Sequence, residues 1–184
     1  MPDSGTDQFD KLVAPHMATL FRVAWRLTRN TPDAQDLVQD ACIIACEHPA
    51  DLAAATQPLH WLLRVLQNRF IDGARRRKRS PLVAMDGTSG VVRMASAEPN
   101  PEELLQQADG ERELQRAFLR LDQIQRTLLT LRAEGYDLAE IEHITGIGRE
   151  VLRARLHRAR SSLAAYLNEH AGAAVAAASA GGKS

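Results

Sequence analysis

Five consecutive cations, Arg75, Arg76, Arg77, Lys78 and Arg79, form one group of residues suited to chemistry in this chain; Arg149, Arg153, Arg155, His157, Arg158 and Arg160 form another. Guanidinium groups present fixed forks of donors that fit phosphate oxygens and the O6/N7 edge of guanine. The chemistry these side chains suggest is recognition of nucleic acid, at two places well apart in the sequence. A catalytic reading finds nothing to rest on: no glycine-rich phosphate loop is present, no Ser/His/Asp pattern can be placed, and the six histidines are dispersed. Cys42 and Cys46, four apart and followed by His48, loosely imitate a metal site. Tetrahedral zinc wants four ligands, so the pair is read as small core residues, and neither a metal nor another cofactor is expected.

Bulk charge cannot drive binding to DNA, because Lys plus Arg and Asp plus Glu both number 23 among 184 residues. The distribution is uneven, however. Trp61 to Arg79 holds seven basic residues against Asp72 alone, a net of +6, whereas Ser80 to Gly110 holds Arg93 against five acids, a net of −4. The first residues are polar with no apolar leader, and no stretch approaches the roughly 18 to 20 uncharged apolar residues of a membrane span. The expected location is the cytoplasm, without membrane insertion.

The elements that must position these residues are all helical. Phe9, Leu12, Val13, His16, Leu20, Val23, Ala24 and Leu27 recur at helical spacing, giving a helix over Phe9 to Arg29 that Pro15 bends or interrupts. Thr31 is placed to cap a second helix that carries Pro32 and Asp33 in its first turn and runs to about Cys46. His48-Pro49 ends it, and an Ala-rich loop or short turn leads to a third helix from Leu59 to about Arg77, with Trp61, Leu62, Val65, Leu66, Phe70 and Ile71 as its buried stripe. Ser80 to Asn100 reads as linker, and Asn100-Pro101-Glu102-Glu103 as a helix start. Leu114, Phe118 and Leu121, then Ile124, Leu128, Leu129 and Leu131, continue the helical pattern, and no strand-like alternation of useful length occurs. The fold class is therefore all-α, with two small helical domains joined by a flexible linker. Its boundaries are 1–79, an acidic linker 80–110, 111–167, and an Ala/Gly-rich tail 168–184 expected to be frayed.

From Asp137 to Arg160 the pattern is that of a helix-turn-helix. Asp137 and Glu140 resemble a capping box, Leu138, Ile141 and Ile144 point inward, Gly146 makes the turn, and Leu152, Leu156, Ala159 and Leu163 are inward thereafter. At 100° per residue this leaves Glu150, Ala154, His157 and Arg158 outward, flanked by Arg149, Arg153, Arg155 and Arg160, a surface suited to a major groove.

Leu27-Thr28, Asp33 to Asp40 (DAQDLVQD), Trp61-Leu62 with Asn68 and Asp72, and Arg155 to Arg160 (RLHRAR) together resemble the extracytoplasmic-function sigma factors of bacterial RNA polymerase. The resemblance covers nearly everything from Phe9 to Leu167 and implies two helical domains, regions 2 and 4. It implies that Asp36, Leu37, Gln39 and Asp40 dock on the clamp helices of the catalytic subunit of core RNA polymerase, whose flap would take the second domain. The loop from Ala50 to His60 would capture a base of the displaced strand at the −10 element, supported by Asn68, Asp72, Arg75, Arg76 and Arg77. Arg149, Arg153, His157 and Arg158 would read the −35 duplex, with Arg155 and Arg160 on phosphates. It further implies promoter DNA as ligand, an anti-sigma factor as controlling partner in a stress response, and no enzymatic activity of the chain itself.

Departures from the family pattern are Asp122 in place of the usual proline, Glu142 in place of a small residue, and Glu150-Val151 in place of Gly-Thr. They leave the fold intact and bear on −35 specificity. Two other readings stay open at this point: a sigma-like decoy that sequesters an anti-sigma factor, and a stand-alone helix-turn-helix repressor.

Overall fold

The computed structural model describes the backbone of residues 4–79 and 101–180 and the side chains of residues 9–76 and 110–169. Among these residues there are only helices: α1 (Ser4–Val13), a 3-10 turn (Ala14–His16), α2 (Met17–Thr28), α3 (Thr31–Glu47), α4 (Pro49–Ala54), α5 (Pro58–Arg79), α6 (Pro101–Arg120), α7 (Gln123–Ala133), α8 (Leu138–Thr145) and α9 (Arg149–Ala180). Pro15 does interrupt the first helix, by way of the 3-10 turn.

Four sequence expectations need correction. The cap of α3 is Asn30, extended at φ −143° and ψ 127°, whose side chain accepts from Asp33 N–H; Thr31 is the first helical residue. The Ala-rich stretch after His48 contains a helical turn, α4, because Leu52 is fully buried and pins it to the core. Helix α6 begins at Pro101, so the last ten residues of the expected linker are helical. The backbone of the Ala/Gly-rich tail continues α9 as far as Ala180, in place of the fraying read from its composition. Residues 80–100, the rest of the linker, lie outside the described residues.

In the first half, Leu20, Val23, Ala24 and Leu27 of α2, Ala34, Leu37, Val38, Ala41 and Ala45 of α3, and Leu62, Leu63, Leu66 and Phe70 of α5 are buried against one another. Ala34, Ala41 and Ala45 let α3 lie close on its neighbours. In the second half, Leu128 and Leu131 of α7, Ile141 and Ile144 of α8 and Leu152 and Leu156 of α9 do the same. These two sets are one continuous apolar cluster: α7 packs on α2 and α5, and α8 packs on α5.

Candidate nucleic-acid and polymerase interfaces

Helix α3 starts at Thr31 because Asn30 caps it and Pro32 and Asp33 suit its amino end. Its exposed face carries Asp36, Gln39 and Asp40, while Leu37 is 7% exposed and belongs to the core. Of the four residues expected to dock on polymerase, three are therefore on the surface and Leu37 positions them from beneath. Ile43, 47% exposed and one helical step beyond Gln39 and Asp40, extends this face and was not singled out from the sequence. Asp33, Asp36 and Asp40 line one side of a cleft of about 200 Å³ whose other side holds Arg69, Phe70 and Arg126.

The loop between α4 and α5 borders a second cleft, of about 240 Å³, lined by Ala54, Ala55, Thr56, Gln57, His60, Trp61 and Arg64 and closed by His143 of α8. Asn68, Asp72, Arg75 and Arg76 are exposed along α5 below it. Asp72 Oδ1 lies 3.5 Å from Arg75 Nη1, an exposed pair one turn apart that aims the guanidinium along the helix. Asn68 also lines a cleft formed with Ile124, Thr127, Leu128, Thr145 and Ile147 of the second half. Arg77 falls in α5, but its side chain lies outside the described residues.

Capping boxes build the helix-turn-helix. Asp137 accepts from Glu140 N–H at 2.8 Å while Glu140 accepts from Asp137 N–H at 2.7 Å, and the backbone N–H groups of Glu140 and Ala139 hold the Asp137 carboxyl below its usual range. Gly146 ends α8 in the left-handed conformation at φ +70°. Asp122, the first departure from the family pattern, caps α7 in the same reciprocal way with Gln125. On α9, Leu152, Leu156 and Ala159 are buried, and Arg149, Glu150, Arg153, Ala154, His157, Arg158 and Arg160 are exposed.

The expected contact residues of α9 are not equivalent. Arg149 Nε pairs with Glu142 Oε2 of α8 at 2.8 Å, tying the start of α9 to the preceding helix. Arg153 Nη1 pairs with Glu150 Oε1 at 2.6 Å. Arg155 is half-buried with its Nε enclosed, on the flank of α9 nearest the core. Arg132, from the end of α7, joins Arg153, His157 and Arg160 around a basic cleft of about 210 Å³. It is a phosphate-contact candidate absent from the sequence reading, since a lone arginine in a last turn looks like ordinary dipole compensation.

The two halves lock together through polar contacts whose partners are 77 to 112 residues apart. Glu134, its side chain 4% exposed, accepts from Arg22 Nε at 2.6 Å; Arg26 Nε lies 2.9 Å from its other oxygen, an ion pair not aligned as a hydrogen bond. Arg64 donates to the carbonyls of His143 and Ile144, and buried Gln67 donates to that of Ile144 at 3.0 Å, so α5 caps the carbonyl end of α8. Arg29, left-handed at φ 55°, places its guanidinium over Trp25 of its own half and Phe118 of the other, and burial pulls its pKa down. His60, 6% exposed, packs edge-on against Tyr136 and within 5.8 Å of the His143 ring. Burial holds His60 below the ordinary imidazole range, against the opposing pull of Glu140 at 3.9 Å.

Residues 12–80 match the family model described as Sigma-70 region 2. The chain is 32% identical over 163 residues to the ECF RNA polymerase sigma factor SigE of Mycolicibacterium smegmatis, a match covering 88% of this chain and 62% of that relative. It is 28% identical over 164 residues to the ECF sigma factor SigM of Mycobacterium tuberculosis, covering 87% of this chain and 79% of that one. Its fold is similar to that of the sigma factor RpoE of Bartonella quintana, solved in complex with the anti-sigma factor NepR: the TM-score is 0.65 at 23% identity, covering 87% of this chain and 96% of that one. With an acid-bearing α3, a basic α5 and a helix-turn-helix in this order, the chain contains a segment matching Sigma-70 region 2 and is similar along most of its length to extracytoplasmic-function sigma factors.

Proposed function

We propose that this chain binds core RNA polymerase and directs promoter-specific initiation in the cytoplasm, with the catalytic chemistry left to the polymerase. The observation that carries this is the exposed acid face of α3 in the same chain as a helix-turn-helix that presents Arg153, His157 and Arg158 outward. Asp36, Gln39 and Asp40 dock on the basic clamp helices. The cleft beside Thr56 and Gln57 receives a −10 base flipped from the displaced strand, and Arg75 and Arg76 hold its backbone. Helix α9 enters the −35 major groove, and Arg132 and Arg160 hold phosphates.

Binding of both elements requires the halves to part. Promoter sites about 25 base pairs apart are separated by about 85 Å at 3.4 Å per step, whereas the His60 and His143 rings are 5.8 Å apart here. Residues 80–100, fully extended, reach about 70 Å, enough for separation once the two domains add their own width. The packed arrangement is thus a resting form, and an anti-sigma factor that favours it would keep the chain from polymerase.

Run-off transcription of fragmented genomic DNA by bacterial core polymerase, with and without this chain, tests the reading. New 5′ ends sharing elements near −35 and −10 are the expected result. The sigma-like decoy is favoured by one observation, the engagement of both Arg149 and Arg153 by carboxylates; polymerase binding without transcripts would establish it.

A further inference from the structure

Helix α9 carries a carboxylate among the side chains of its groove-facing surface. Glu150, in the first turn, is the only acid between Arg149 and Arg160. Its side chain is 86% exposed and it holds Arg153, one turn on, by a single oxygen, Oε1 to Nη1 at 2.6 Å. A carboxylate aimed at a polyanion weakens general attraction, so it contributes only where it meets a donor. Arg149, by contrast, is held across the turn by Glu142 of α8, outside this couple.

In the major groove the base edges that offer a donor are cytosine, through N4, and adenine, through N6. Adenine sets its amino group beside the N7 acceptor, which repels a carboxylate. Cytosine presents the amino group without an acceptor of its own, and the paired guanine sets O6 and N7 next to it. Glu150 and Arg153 together form an acceptor flanked by donors, and a C·G pair forms a donor flanked by acceptors. We propose that the Glu150–Arg153 couple reads one C·G pair of the −35 element, Glu150 accepting from cytosine N4 and Arg153 donating to guanine O6 and N7. Recognition-helix residues nearest the amino end are the ones that reach base edges, which is where both lie. The ion pair supports the reading geometrically: it sets the Glu150 acceptor beside the Arg153 donors before DNA arrives, as the edge of a C·G pair requires.

This assignment rests on the sigma-factor reading, and the test separates the two. Holoenzyme assembled from the full chain transcribes a library whose −35 region is randomised behind a −10 element taken from the mapped genomic starts. Wild type should enrich cytosine at one −35 position by about ten-fold. Glu150→Ala should lower that one preference to what Arg153 alone reads from the paired guanine, and Glu150→Gln, whose amide fits the N6/N7 edge of adenine, should raise adenine at the same position at the expense of cytosine, with the other −35 positions unchanged. Unaltered cytosine enrichment in both variants, or no C·G preference anywhere in the wild-type −35 element, overturns the assignment. So does a variant that binds core polymerase but starts nowhere, because loss of one base reader relaxes one position. Absence of promoter-dependent transcripts with wild type removes the sigma-factor reading and this assignment with it.

Discussion

Neighbouring side chains on α3 lie on opposite faces, the acids proposed to dock on polymerase exposed and Leu37 buried, and substitution should separate them. Asp36→Ala combined with Asp40→Ala removes two exposed charges and should weaken core polymerase binding several-fold while leaving the melting temperature within a few degrees. Leu37→Ala empties a core position and should cost about 2–3 kcal/mol of stability. Thermal melting of the free chain, beside titration against core polymerase, checks both, and equal melting losses would show that the acids are structural. Asp122 gives a third residue-scale expectation. Its carboxylate and the Gln125 side chain close a reciprocal cap on α7, so Asp122→Ala should cost about 1 kcal/mol in urea denaturation, and Asp122→Asn much less.

At the scale of elements, the turn between α8 and α9 depends on Gly146. Its φ of +70° is unfavourable for any residue with a Cβ, yet an added Cβ would meet no atom within 4 Å. Gly146→Ala should therefore cost about 1 kcal/mol through backbone conformation alone, seen as a lower denaturation midpoint with an unchanged slope. A changed slope would mean that the helix-turn-helix had opened. This motif was legible in the sequence because its inward positions keep a strict helical period and its cap and turn residues have few other uses. Helix α4 was not legible, since one buried leucine among alanines sets no period. Asn30 and Thr31 are both capping residue types, and only the extended backbone at Asn30 decides between them. The interlocking of the halves was hidden for a different reason. Arg64, Gln67 and Glu134 are types that normally face water, and what draws them inward is a partner many tens of residues away. Leu37, grouped with its polar neighbours by the motif it sits in, was misplaced because a motif records sequence and not which face is buried.

For the whole molecule, the resting arrangement should be controlled by the charge state of the groups buried between the halves. His60 is the titrating group best placed for this: Tyr136, Glu140 and His143 face it from the second half, and Arg64 follows one turn on along α5. Its pKa in the packed form lies below the ordinary 6.5, so the packed form binds fewer protons than the separated one across that interval. Packing is accordingly favoured above the ordinary histidine pKa and weakened as pH falls from there toward the lower, packed-form value. Small-angle scattering should show the radius of gyration rising from about pH 7.5 to about pH 5.5, with helical circular dichroism constant. His60→Leu should flatten that response, and a wild-type radius independent of pH would assign the control elsewhere. Glu134 supplies a pH-independent route to the same opening. Neutralising this buried carboxylate leaves Arg22 and Arg26 without their partner, so Glu134→Gln should expand the free chain at neutral pH. If the packed form competes with polymerase, the same substitution should also strengthen binding to the core enzyme. An expanded Glu134→Gln chain with unchanged polymerase affinity would mean that docking through α3 proceeds with the halves still together, and that separation is needed only for DNA.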